Sequence, residues 1–406
     1  MTLDRPTPST DRKIHLDVLR GFALFGILLV NFEYFSRPIV SIALAEEASP
    51  SGVHALVAFL VQWLAEGKFY SLFSMLFGAG FALMMLRADE AGGGGTGRYF
   101  KRLIGLLAFG LAHALLVWSG DVLLVYALTA FVMLLLFRRT PVRRLWKWAL
   151  GLIAVPMLMM WIGLAGITAA GLAPDGGEAA IADIREAEAE TESMAAEAAR
   201  INAEGTYVEN VMQRVRDVEF SLSSFLFWIP PVLGYFLLGR WLLAAGPLDR
   251  PANHTGFFRR WRMLGLVVGL PVSAYAAWRL EGLGMFVPSL DLALGTTAAT
   301  VGALLLTLGY LSLVVPNAHR LAFLAPAGRM ALTNYLCQSL VWTLVFYGYG
   351  LGLWGQVPRA TMLLLAVVFF ALQVAVSRWW LARFRFGPAE WLWRAWTYGS
   401  RPPMRR

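Results

Sequence analysis

Ten apolar blocks set the first constraint on this chain, because each is close to the length of about 20 residues that a hydrocarbon layer roughly 30 Å thick requires. They cover 16–35, 69–86, 103–118, 122–137, 145–172, 220–243, 263–278, 290–315, 331–347 and 360–381. Lipid admits only segments that satisfy their own backbone, which means helices or closed barrels, and blocks this long read as helices. The expected fold class is therefore all-α: a polytopic membrane helical bundle of about ten spans. Composition agrees, since 58% of the 406 residues are hydrophobic and only 15% are charged, against about 25% charged in soluble domains.

An even number of spans places both termini on one side. Basic residues fall on alternate connections, from Arg5, Arg12 and Lys13 through Arg138, Arg139, Arg143 and Arg144 to the tail ending at Arg406. The positive-inside rule makes that side cytoplasmic, so both termini are expected inside. Topology thus accounts for the net charge of +9, and nucleic acid is not expected as a partner. Membrane lipid and, left open, a homodimer are.

Three regions follow. Residues 1–172 hold five spans and an interfacial helix at about 54–66. Residues 173–219 carry 12 Asp or Glu against 4 Arg and are too polar to cross lipid, so they read as an acidic extracytoplasmic helical segment, solvated over the external surface. Residues 220–406 hold the other five spans and a basic tail.

Ionisable side chains inside a span cost at least a few kcal/mol and mark sites by default. His113 lies five residues before Trp118, roughly 7 Å below the outer end of its helix at 1.5 Å per residue. Asp121 sits in the three-residue turn that follows, where it either reaches the imidazole or caps the next helix, and Tyr126 is one turn further on. Asn31 and Glu33 close the first span, while Glu66 and Lys68 open the second crossing near the external boundary. With His54 from the interfacial helix, these groups are expected to line one outward-facing basin. At the inner side, Asp17 and Arg20 are spaced i, i+3 as a helix-surface pair, and Arg329, Asn334 and Gln338 open the ninth span. The two amides read either as glue between helices or as ligand contacts. Gly78 and Gly80 suit close helix packing, and Gly92–Gly95 match no phosphate-binding loop. One Cys and no HExxH leave no metal site to expect.

The runs 16–31, 66–69, 72–80, 113–121, 328–338 and 386–394 resemble, in order, those of the bacterial YeiB-like membrane proteins. The opening of that family is similar to a broader group of transmembrane acyltransferases, in which embedded polar residues including a His move an acyl group from cytoplasmic acyl-CoA to an acceptor across the membrane. The resemblance thus implies acyl-CoA as donor substrate and, as partner at the outer face, a small-molecule or glycan acceptor with a hydroxyl or amine. On the residues themselves, His113 suits a general base, oriented by Asp121, with Lys68 or Asn31 polarising the acyl carbonyl. Glu66, Glu33, Tyr126 and His54 would contact the acceptor, and Arg20, Asp17, Arg329, Asn334 and Gln338 the donor, where guanidinium suits phosphate. A transporter of a small polar solute, or a membrane sensor or assembly protein, would use the same intramembrane groups differently.

Overall fold

The computed structural model describes residues 13–45, 51–90, 95–172, 177–223 and 225–406; Arg5, Arg12 and Gly92–Gly94 lie outside them. Seventeen α-helices run in chain order among the described residues: α1 (Ile14–Tyr34), α2 (Gly52–Leu64), α3 (Lys68–Glu90), α4 (Gly95–Leu116), α5 (Val122–Val132), α6 (Val142–Ile153), α7 (Val155–Ala170), α8 (Glu178–Glu204), α9 (Tyr207–Ser223), α10 (Phe225–Ala244), α11 (Thr255–Leu264), α12 (Leu270–Leu280), α13 (Leu290–Val314), α14 (Ala325–Arg329), α15 (Ala331–Phe346), α16 (Arg359–Arg383) and α17 (Pro388–Tyr398). No strand is found among them. Eight helical stretches are long and apolar enough to cross a membrane, and 122–137 and 331–346 are shorter apolar helices. These ten coincide with the ten apolar blocks.

Burial sorts the helices into centre and rim. In α10, 61% of the apolar window is buried, against 11% along α6 and α7. Rim side chains such as Leu135, Ile162, Val267 and Leu364 are more than half exposed, an outward apolar belt that suits lipid rather than water. At the centre α3 crosses α10 in contact through glycines: a Cβ on Gly78 would strike the Phe236 carbonyl, and one on Gly239 that of Met75. Tyr70 lies on Tyr235 at 6.0 Å, Phe77 on Phe236 at 4.8 Å, and Arg240 over Phe81, so the two helices run in the same direction.

The bundle has a basic and an acidic end. At the basic end Lys13 bonds Asp249 (2.9 Å), Arg240 donates to the Arg138 carbonyl (3.0 Å), and Trp393 and Trp396 of α17 donate to the Arg102 and Lys101 carbonyls (2.8 Å each). Glu390 of α17 caps α15 from outside, accepting from the amides of Leu332 (2.7 Å) and Thr333 (3.1 Å). The start of α1 and the C-terminal segment share this end: Gly328 packs on the Asp17 carbonyl, and the Arg406 amide bonds Arg383. The acidic end carries α8, α9 and the α4–α5 turn.

One crossing is broken. Between α2 and α3 the chain turns at Gly67, whose φ of +78° favours glycine. The break lies halfway along α1, not at the external boundary expected for Glu66 and Lys68: Phe69 packs on Phe22 at 5.1 Å and over Gly26. Neighbouring side chains bond the carbonyls of the break, as a helix interruption at that depth demands. Tyr310 donates to Leu64 (2.9 Å), Thr307 to Lys68 (3.1 Å), Ser71 to Gly67 (2.5 Å) and the Lys68 ammonium to Gln62 (3.0 Å).

Candidate functional site

The α4–α5 turn builds the site. Helix α4 stops because the amides of Val117 and Trp118 both fold back onto the His113 carbonyl at 2.9 Å, which unwinds the last turn and brings Asp121 under the imidazole. His113 Nδ1 lies 2.8 Å from Asp121 Oδ1, and the two side chains are 2% and 1% exposed. Asp121 Oδ2 accepts from the Leu124 amide at 2.7 Å and caps α5. The two roles weighed for Asp121 therefore coexist, one oxygen for each.

Tyr335 of α15 completes the carboxylate's surroundings. Its hydroxyl accepts from the Val122 amide (3.2 Å) and donates to Asp121 Oδ1 (3.4 Å), while its ring lies 5.2 Å from that of His113. With Asp121 as acceptor throughout, this network places a hydrogen on His113 Nδ1, which in the neutral imidazole leaves the lone pair on Nε2. Nε2 is buried without a hydrogen-bond partner among the described residues. Buried polar atoms of that kind are few and call for an explanation. The pair fixes the orientation of the ring and leaves Nε2 without a protein partner among the described residues.

The other predicted residues divide among separate places rather than lining one basin. Glu33 takes Arg359 of α16 at 3.1 Å, in a cleft among α1, α2 and α16 that Val57 and Val61 also line. Lys68 is 4% exposed, bonded to Gln62, with Glu66 as the charge acting on it. Asn31 lies in the last turn of α1, where its carbonyl accepts from Phe35. His54 sits in the first turn of α2, with a buried and unpartnered Nδ1. Tyr126 is fully buried below the pair, bonded to Ser74 (2.6 Å) and the Tyr70 carbonyl (3.0 Å).

At the basic end, Arg20 pairs with Asp17 at 3.1 Å and Arg329 reaches the Arg385 carbonyl at 3.5 Å. The two amides act between helices. Asn334 donates to Ser377 of α16 (2.9 Å) and to the Ala327 carbonyl (3.2 Å), and Gln338 donates to Gln373 of α16 (2.8 Å).

Residues that sequence reasoning passed over cover the turn. The acidic segment does not lie wholly in solvent: α9 runs to Ser223, past the boundary expected at 219, and turns Asn210, Gln213, Arg214 and Asp217 inward, none more than 3% exposed. Asp217 accepts from Ser119 (2.7 Å) and Gln213 (2.9 Å). Arg214 donates to the Leu116 carbonyl (3.1 Å) and the Tyr349 hydroxyl (2.7 Å), and the rings of Tyr207, Tyr347 and Tyr349 surround it at 5.5 to 5.7 Å. The spacing i, i+3, i+4, i+7 was the available signal: it is that of a buried helix face, here filled by polar residues.

Residues 242–400 match the family model described as "Protein of unknown function (DUF418)". The chain is 33% identical over 425 residues to the uncharacterized protein YxaH of Bacillus subtilis (strain 168), covering 98% of each chain. It belongs to the YeiB-like family. A second member, the uncharacterized protein YeiB of Escherichia coli (strain K12), is 29% identical over 415 residues, covering 97% of this chain and 98% of that one. No solved structure matches. In this member of the YeiB-like family, the motif 113–121 supplies both partners of the buried pair.

Proposed function

We propose that the chain is a membrane acyltransferase in which His113 serves as general base for transfer from acyl-CoA to a hydroxyl or amine. The observation that carries this reading is the imidazole bonded to Asp121 through Nδ1 with Nε2 buried and unpartnered. Nε2 takes the proton of the acceptor as its oxygen or nitrogen attacks the thioester carbonyl. The new acyl bond forms, the C–S bond breaks, and the proton passes from His113 to the departing thiolate of CoA. Asp121 holds the ring and balances the transient imidazolium, the division of labour seen in other His–Asp pairs.

The basic end is the cytoplasmic one on the positive-inside rule, so the membrane is the bacterial inner membrane and both termini are cytoplasmic. On this reading Arg20 and Arg329 face the donor's phosphates, with Asp17, Asn334 and Gln338 placing the elements that carry them. In proteoliposomes supplied with acyl-CoA and a mixture of hydroxyl and amine acceptors, His113→Ala should lower acyl transfer about 10²- to 10⁴-fold while elution volume and helix content stay unchanged. Transfer at the parental rate by the folded variant rejects the assignment.

The broken helix at Glu66 to Lys68 favours a second reading, a carrier for a small polar solute, because discontinuous helices at mid-depth form the binding sites of many transporters. Vesicles that accumulate a solute without consuming acyl-CoA would put this reading first.

A further inference from the structure

The α4–α5 turn and the α9 side chains bonded to it leave four buried polar atoms without hydrogen-bond partners among the described residues: His113 Nε2, Trp118 Nε1, Gln213 Oε1 and Arg214 Nε; a fifth on α9, Asn210 Oδ1, belongs to a side chain bonded back to Ile201 and Gly205. All four belong to the turn or to side chains bonded to it, since Arg214 holds the Leu116 carbonyl and Gln213 reaches Ser119 through Asp217. Two are donors and two are acceptors. Arg214 is 1% exposed, and its hydrogen bonds go to neutral groups, a carbonyl and a phenol. The nearest acid on its helix, Asp217, acts on it through charge but makes no hydrogen bond to it, both its oxygens being engaged by Ser119 and Gln213. A guanidinium taken out of water without a carboxylate in contact is costly, and an oxyanion is what its free N–H recognises best.

From this we infer a ligand site between α9 and the α4–α5 turn for a molecule that carries an oxyanion beside a hydroxyl group. Arg214 Nε–H and Trp118 Nε1–H hold the carboxylate or phosphate, and Gln213 Oε1 and His113 Nε2 accept from the hydroxyl. The site deepens the acyl-transfer reading, on which it rests only for the role of that hydroxyl as the group acylated. Tyr207, Tyr347 and Tyr349 wall the guanidinium, so a lysine there keeps the charge and loses the planar fork and its ring contacts.

Titration calorimetry on the full chain in nanodiscs tests the site with four probes: methyl β-D-glucuronide, sn-glycerol 1-phosphate and their uncharged counterparts methyl β-D-glucoside and glycerol. One of the anionic probes should bind at least about tenfold more tightly than its neutral counterpart, and which one does so separates a carboxylate from a phosphate ligand. Arg214→Lys should erase that preference. Should this variant fail to fold, Arg214→Gln, which removes the charge and keeps N–H donors, should erase it instead. Equal binding of anionic and neutral probes, no binding of any probe at millimolar concentration, or an unchanged preference in a folded variant overturns the proposal. His113→Ala should keep the preference for the anionic probe; a variant that keeps it and still transfers acyl groups at the parental rate removes the acyl-transfer reading and leaves the site standing.

Discussion

Helices α8 and α9 come from one acidic stretch of sequence and end in opposite environments. Helix α8 follows the rule for a solvated helix. Glu186 and Glu190 are exposed, Arg200 pairs with Glu197 on the surface, and the inward residues are small or neutral, such as Ala195 and Ala198. Helix α9 is inside out. Its polar residues Asn210, Gln213, Arg214 and Asp217 face the bundle, while Val208 and Met212 are 69% and 60% exposed. The difference teaches that charge content alone does not place a helix at the surface of a membrane protein. What decides is whether the neighbouring element offers partners, and the α4–α5 turn offers the Leu116 carbonyl and the Ser119 hydroxyl. The outer face is mixed, with Val208 and Met212 beside the exposed Glu209, Arg216 and Glu219.

The comparison breaks most readily at Arg214. Replacing it with Met strands the Tyr349 hydroxyl and takes one of two donors from the Leu116 carbonyl, which keeps Tyr207, and should cost about 1 to 3 kcal/mol of α9 docking, read as faster amide exchange along α9 and a lower thermal midpoint. The exposed Arg216, two residues on, is the internal control; Arg216→Met should leave both readings where they are. Equal effects of the two substitutions would show that α9 is not inside out.

Asp217 gives a pH signature. Burial pushes its carboxyl above the ordinary value, although the bonds from Ser119 and Gln213 act the other way. A carboxyl raised in the folded state binds its proton more tightly there than in the open state, so its contribution is full below the ordinary carboxyl range and declines as pH rises through the raised value. Docking of α9, followed by proteolysis of the α8–α9 connection, should weaken across that window, and Asp217→Asn should flatten the dependence. A wild-type profile with no slope there would contradict the buried placement of Asp217.

Ser119→Ala removes one donor to that carboxyl and should cost about 1 kcal/mol. The smallest effect belongs to α8, where Glu186→Ala with Glu190→Ala should leave the thermal midpoint unchanged. A marked loss there would mean that α8 has partners of its own.

Much of the bundle was legible in the sequence. The ten apolar blocks became ten helical units, the acidic segment gave the helices α8 and α9, and the motif around His113 and Asp121 gave a buried pair at 2.8 Å. Local spacing suffices for these, because a three-residue turn leaves the two side chains few places to go. Depth was not legible. Lys68 reads as an interfacial residue from its position in the chain, but it begins a helix beside the middle of α1, since only packing against Phe22 and Gly26 fixes how far the broken helix enters. Nor was the partner of Glu33: Arg359 lies 326 positions away, and no local pattern joins them.

By itself the sequence determined the class of fold and the family, because hydrophobic length and in-order motifs are one-dimensional quantities. It also put Asp121 within reach of His113. Only the tertiary structure decided what surrounds them: Tyr335 from α15 on the carboxylate, α9 turned polar face inward over the turn, and an imidazole nitrogen left open beneath it. Those contacts join segments about 100 to 200 residues apart, and their energies depend on which buried polar group finds a partner, a condition met in three dimensions and written in no single stretch of the chain.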